Sequence, residues 1–125
     1  MYEVGVVEQF EAAHRLRGNF GPATRRHGHT YRVEFAVRGE ALQDDGTLCD
    51  IGQLQDGLKQ AVAEVNYQDL DEMPHFQGRN STAEVVATHL VRRLKPALVG
   101  RGLQSLSVRV WESPAAFASL EEPLS

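Results

Sequence analysis

Three histidines stand at positions from which they could bind one metal ion. His27 and His29 are two residues apart in an alternating segment, so their side chains point the same way if that segment is a strand. His14 ends an earlier alternating segment and can supply a third nitrogen. Three protein nitrogens with an open fourth position are typical of a catalytic zinc site, where water or substrate takes the open position. The spacing therefore predicts a Zn²⁺ site formed by His14, His27 and His29.

The alternative for each histidine is an ordinary side chain with its own hydrogen bond. Three of the five histidines nevertheless continue the apolar face of an alternating segment. An unpaired imidazole there would carry a desolvation cost, which a bound metal ion offsets. His89, on the flank of an apolar helical stripe, is interpreted as a boundary residue and not as a ligand.

A carboxylate continues an apolar face in the same way near the C-terminus. Leu106, Val108 and Val110 alternate, and Glu112 follows in register. A carboxylate can accept two parallel N–H donors, which suits the guanidine-like edge of a heterocycle. The alternative is an exposed carboxylate at a strand end, paired with an arginine such as Arg109.

Strands and helices must position these groups. Alternation predicts a first strand from Tyr2 to His14 and a second from His27, joined by a surface loop rich in Gly, Asn, Pro and Arg. A third short strand is predicted at residues 47–50, and a last one at residues 106–112. Two amphipathic helices are predicted between them. The first follows Asp50 as N-cap, and the second begins with a capping box of Ser81 and Glu84.

An irregular loop, residues 66–80, separates the two helices. Asp71, Glu72 and His75 lie in it and are candidates for acid–base catalysis, although a polar loop contains such residues by default. The capping box is a sufficient explanation for Glu84, with pocket lining as the alternative. The same two interpretations apply to Thr82. The order of elements predicts an α+β domain with a mainly antiparallel sheet.

Composition limits the class of protein. A chain of 125 residues with 42% hydrophobic residues is expected to form one globular domain, residues 1–125. The net charge of −4 argues against nucleic acid as a partner. The N-terminus does not resemble a signal peptide and no apolar run suits a membrane span, so a cytoplasmic protein is expected. The lone Cys49 cannot form an intramolecular disulfide and is expected to be buried and inert.

Several motifs together resemble one known family. They are Phe10-Glu11-Ala12-Ala13-His14, His27-Gly28-His29-Thr30-Tyr31, Leu70-Asp71, Asn80-Ser81-Thr82-Ala83-Glu84 and Trp111-Glu112-Ser113. Their series is similar to that of the 6-pyruvoyl-tetrahydropterin synthase family, which includes the 6-carboxytetrahydropterin synthases of queuosine biosynthesis. The similarity spans nearly the whole chain.

The resemblance implies a tunnelling fold with a four-stranded antiparallel sheet and two helices on one face. It implies homo-oligomers, trimers or hexamers, with active sites at subunit interfaces. It also implies zinc held by the three histidines, a pterin held by Glu112, and a pocket lined by Thr82 and Glu84.

In the family, zinc binds the side chain of 7,8-dihydroneopterin triphosphate, a cysteine and an Asp-His pair move protons, and triphosphate leaves. This sequence has Ala23 at the position of the cysteine and Glu72 at that of the histidine. Asp71 with Glu72 or His75 is left to move protons. The functional hypotheses are a zinc-dependent lyase of this type, a member with altered pterin side-chain chemistry, and a non-catalytic pterin-binding protein.

Overall fold

The fold is a single sheet with two helices. The computed structural model describes all 125 residues. Its strands are β1 (Tyr2–His14), β2 (His27–Gly39), β3 (Gln68–Asp69), β4 (Ser105–Ser113) and β5 (Ala116–Pro123), and its helices are α1 (Ile51–Ala63) and α2 (Ala83–Leu94). The strand order is β3-β1-β2-β4-β5, antiparallel except for the parallel pair β1–β3. The α+β class is confirmed, but the sheet has five strands instead of the predicted four.

The hairpin of β1 and β2 is the longest pairing in the sheet. Its register runs without interruption from Tyr2 opposite Gly39 to His14 opposite His27. Alternate residues of both strands are buried, as the period-2 pattern predicted. Because the ladder is unbroken, the ends of the two strands that carry the histidines are held at a fixed separation.

The core lies between the sheet and the two helices, which cover the same face. α1 packs mainly against β1, and α2 packs against β4 and β5. Leu58 of α1 and Leu90 of α2 are fully buried, as are Val33 and Val108 of the sheet. Each such side chain contributes about 1.5–3 kcal/mol through burial of its apolar surface. Neither helix is long and apolar enough to cross a membrane.

Two predictions about strands were wrong. Residues 47–50 form no strand; they follow the turn that ends at Gly46, and Leu48 and Cys49 are buried in the core. β5 was not predicted, because its residues are only half-buried or exposed and therefore show weak alternation of hydrophobicity.

The predicted start of α2 was displaced by one residue. The N-cap is Thr82, whose Oγ1 accepts a hydrogen bond from the Val85 amide at 3.2 Å. The hydroxyl of Ser81 instead donates to Asp71 Oδ1 at 2.7 Å and accepts no hydrogen bond from a helix amide. The capping box of Ser81 and Glu84 is therefore wrong. The predicted N-cap of α1 is confirmed, since Asp50 Oδ1 accepts from the Gly52 amide at 2.8 Å.

Candidate metal centre

The three histidines converge at the open end of the β1–β2 hairpin. One ring nitrogen from each of His14, His27 and His29 lies within 4.8 Å of those of the other two. The Nε2 atoms of His14 and His29 are 3.1 Å apart. Two nitrogens bound to one tetrahedral zinc ion are separated by about 3.3 Å, given Zn–N bonds of about 2.0–2.1 Å. The spacing of the imidazoles therefore fits a common metal ion.

Hydrogen bonds to backbone carbonyls orient two of the three rings. His14 Nδ1 donates to the Ser81 carbonyl at 2.7 Å, and His27 Nδ1 donates to the Arg25 carbonyl at 2.7 Å. A proton on Nδ1 leaves the lone pair on Nε2, the tautomer that a metal requires. The donor set thus fits zinc in both its element type and its protonation.

Asp71 supports His14 through Ser81. Asp71 Oδ1 accepts from the Ser81 hydroxyl at 2.7 Å, and Oδ2 accepts from the Arg15 amide at 2.8 Å. The Ser81 hydroxyl also lies 3.3 Å from His14 Nδ1. Asp71, predicted as a catalytic residue, therefore fixes the backbone segment whose carbonyl orients the His14 ring.

Tyr31 lies beneath the histidines. Its ring stacks on Phe10 with centroids 4.6 Å apart and lies 5.4 Å from the His29 ring. The hydroxyl is buried and has no hydrogen-bond partner. Burial, followed by the nearby carboxylates of Glu112 and Asp71, raises the pKa of the Tyr31 hydroxyl. Tyr31 therefore keeps its proton at neutral pH and has it free to donate.

Glu112 is half-buried next to His29. Burial and the neighbouring His14 lower the pKa of His29, while the charge of Glu112 opposes that effect. The net lowering keeps the His29 imidazole neutral at neutral pH. The alternative pairing of Glu112 with Arg109 is absent, because Arg109 lies over the Phe117 ring at 4.5 Å and within 3.9 Å of Glu34.

The other predicted site residues have different surroundings. Thr82 is the N-cap of α2, and Glu84 is an exposed residue of its first turn. Glu72 is exposed one residue beyond Asp71. His75 does not join the three histidines; its ring lies 4.6 Å from that of His89. The roles of these four residues in substrate binding or catalysis stay predictions.

One cleft reaches the metal centre at His29, and a second is linked to it through Asp71 and Ser81. One, of about 480 Å³, includes His29 and the exposed Tyr67, whose φ of 58° is the only left-handed value at a residue other than glycine. The other, of about 220 Å³, is lined by three arginines together with Asp71 and Glu72; the arginines are Arg15, Arg17 and Arg26. Asp71 therefore links this arginine cleft to Ser81, whose carbonyl orients His14.

Sequence reasoning missed Ser81 and Tyr31 as members of the site. Tyr31 follows His29 by two residues, so the alternation that aligns the histidines also places it on their face, where it was counted with the apolar residues of the strand. No local signal identifies Ser81, because its contacts with His14 and Asp71 are formed across 67 and 10 residues of chain.

Comparison with known proteins identifies the family of the chain. Residues 3–123 match the family described as 6-pyruvoyl tetrahydropterin synthase. The 6-carboxy-5,6,7,8-tetrahydropterin synthase of Rickettsia felis is 28% identical, over 90% of this chain and 94% of that protein. The synthase of the same name from Haemophilus influenzae is 24% identical, over 98% of this chain and 100% of that protein.

Solved structures establish the fold. The 6-pyruvoyl tetrahydropterin synthase of Caenorhabditis elegans superimposes with a TM-score of 0.83 at 24% identity, covering 97% of this chain and 95% of that chain. The Plasmodium falciparum enzyme gives a TM-score of 0.79 at 20% identity, covering 98% of each chain. The expected tunnelling fold is thus confirmed, and the chain belongs to the 6-pyruvoyl tetrahydropterin synthase family.

Proposed function

We propose that the protein is a zinc-dependent lyase that converts 7,8-dihydroneopterin triphosphate or a closely related dihydropterin. The observation that carries the proposal is the convergence of three imidazoles at one point. The Nδ1 protons of His14 and His27 are directed at backbone carbonyls, and the ring of His29 is neutral because its pKa is lowered by burial. Zinc bound there would act as a Lewis acid toward the side-chain oxygens of the substrate and favour loss of the adjacent C–H proton.

Glu112 is the proposed anchor for the pterin ring. The half-buried carboxylate lies beside His29 and has no ion-pair partner in the chain. It can therefore accept two N–H donors from the guanidine-like edge of a pterin. A ring held there would direct its side chain toward the histidines.

The arginine cleft supports a phosphorylated substrate. Arg15, Arg17 and Arg26 line it, and only Arg26 has an ion-pair partner, Asp69 at 2.6 Å. Guanidinium groups bind phosphate oxygens through parallel N–H donors. The cleft adjoins Asp71, so a triphosphate there would remain within reach of the histidine cluster.

Proton transfer requires groups other than the family cysteine, whose position is Ala23. Of the two candidate bases, Glu72 borders the arginine cleft beside Asp71, whereas His75 lies against His89. We therefore assign proton abstraction to Glu72.

Release of triphosphate tests this function. Zinc-loaded protein is incubated with 7,8-dihydroneopterin triphosphate, and triphosphate is separated by anion-exchange chromatography. A two-carbon aldehyde among the products distinguishes the 6-carboxy product from the 6-pyruvoyl product. His27→Ala is expected to abolish release, and Glu40→Gln, an exposed carboxylate without hydrogen-bond partners, is the matched control. Absence of product at every pH tested would refute the lyase hypothesis.

Ala23 specifically favours a second candidate, a protein that binds pterins with altered side-chain chemistry or none. The methyl group of Ala23 cannot take a proton where the family has a thiol. Activity on unphosphorylated 7,8-dihydroneopterin in preference to the triphosphate would support altered chemistry. Tight pterin binding by calorimetry without product would support a binding protein, and a turnover abolished by His14→Ala would exclude it.

We also propose a homo-oligomer, a trimer or hexamer, with sites at its subunit interfaces. The sheet face opposite the helices exposes Val7 and Phe117, each about half accessible. Exposed apolar side chains on an open sheet favour contact with another subunit. Light scattering coupled to gel filtration measures the mass, and a monomer at micromolar concentration would contradict the proposal. A cytoplasmic location remains the expectation.

A further inference from the structure

A second cluster of possible metal ligands lies outside the three-histidine site. It consists of Glu64 after the end of α1, His75 in the short turn Pro74–Phe76, and His89 on α2. One donor atom from each side chain lies within 4.8 Å of the other two. The five histidines of the chain therefore fall into two separate clusters, of three and of two.

His89 is the unusual member of this cluster. It is only 5% exposed, and its Nε2 atom is buried without a hydrogen-bond partner. Buried polar nitrogens are nearly always hydrogen-bonded, because leaving one unpaired costs about 1–3 kcal/mol. A ligand bound by Nε2 would remove that cost.

The chemistry of the three donors suits a divalent transition metal. Two imidazole nitrogens and one carboxylate oxygen are a common ligand set for zinc, with water completing the tetrahedron. Burial, and then the charge of the adjacent His75, lower the pKa of His89. The imidazole is therefore neutral at neutral pH, with a lone pair available for bonding.

Arg93 would compete for the same carboxylate, but it occupies only one oxygen. Both of its hydrogen bonds, from Nε and from Nη2, go to Glu64 Oε1. Glu64 Oε2 has no partner and remains available to a metal. The ion pair also fixes the carboxylate next to His89, which reduces the conformational entropy lost on metal binding.

We propose that Glu64, His75 and His89 form a second binding site for a divalent transition-metal ion of the zinc type. The ion would join the end of α1, the inter-helix loop and the middle of α2. That loop also contains Asp71, which contacts Ser81 at the first site. Occupancy would thus stabilise the segment that supports His14, without contacting the substrate.

Zinc stoichiometry tests the second site. Metal-free protein is dialysed against micromolar free zinc, and bound zinc per chain is measured by mass spectrometry. Wild type is expected to bind two equivalents, and both His75→Ala and Glu64→Gln one. His75 is exposed, so its replacement leaves the core intact, as circular dichroism would verify. Glu40→Gln, which removes an exposed carboxylate outside both clusters, is expected to bind two.

His27→Ala separates the two sites. It is expected to retain one equivalent, and the His27→Ala/His75→Ala double variant to retain none. Zinc should raise the melting temperature of His27→Ala but not of the double variant. If His75→Ala binds as much zinc as wild type, the second site is refuted. If His27→Ala loses no zinc while His75→Ala does, the second site stands and the zinc site of the proposed function fails.

Discussion

Replacing Asp71 with Asn should weaken zinc binding at the three histidines without removing a ligand. Asp71 accepts two hydrogen bonds, from the Ser81 hydroxyl and the Arg15 amide, and an amide side chain has only one oxygen to accept them. A hydrogen bond to a charged group contributes about 1.5–3 kcal/mol, and the half-buried position favours the lower part of that range. If this whole loss appears in the free energy of zinc binding, through the orientation of His14, about 1.5–2 kcal/mol corresponds to about a 10- to 30-fold higher Kd for zinc.

Competition with a chromophoric chelator at fixed pH measures that Kd. To read one site alone, the substitution is made in a His75→Ala background, which removes the second cluster. The matched control is Glu72→Gln, the neighbouring exposed carboxylate that makes no hydrogen bond to Ser81, and its Kd should equal that of the parent. Ser81→Ala should reproduce part of the increase in Kd. In the Asp71→Asn/Ser81→Ala double variant, the two changes in the free energy of zinc binding should be less than additive. An unchanged Kd in Asp71→Asn would refute the support of His14 through Ser81.

Three further predictions concern other parts of the molecule. Tyr31→Phe removes a buried hydroxyl without a partner, so the free energy of unfolding should stay equal or rise by up to about 1 kcal/mol; lower stability in urea denaturation would contradict this. Arg17→Ala should raise KM for the triphosphate but not for unphosphorylated dihydroneopterin. An equal change in KM for both substrates would show that the arginine cleft does not bind the phosphates. Burial, and then Asp50, raise the pKa of the Cys49 thiol, so little thiolate is present at pH 8. Its alkylation by iodoacetamide should be at least about tenfold slower in the native protein than in urea, and should accelerate as pH rises.

The sheet and its faces were predictable where hydrophobicity alternates strongly. β1 and β2 bury alternate residues over their whole length, so Phe10 and Val33 fell on the correct face. β3 has two residues and β5 is only partly buried, so neither leaves a pattern in the sequence. Those strands are defined by their pairing with distant residues, which local periodicity does not record.

The candidate site was predictable where its residues lie on alternating strands. Strand register predicted that the side chains of His14, His27 and His29 meet, and they do; their role as metal ligands stays a prediction. His89 was taken for a boundary residue because its helical position lies at the edge of the apolar stripe. The turn containing His75 covers it, and that contact depends on how the inter-helix loop folds back over α2.

The uninterrupted register of the β1–β2 hairpin has an evolutionary consequence. His14 and His27 face each other as the last pair of the ladder, and the connecting loop from Arg15 to Arg26 lies wholly outside it. The loop contacts the site through backbone atoms, the Arg15 amide on Asp71 and the Arg25 carbonyl on His27. Substitutions of its side chains can therefore accumulate without displacing the imidazoles. The same loop supplies all three arginines of the arginine cleft. Descendants of this chain can thus acquire new substrates by changing the side chains of one loop while inheriting the histidine cluster unchanged.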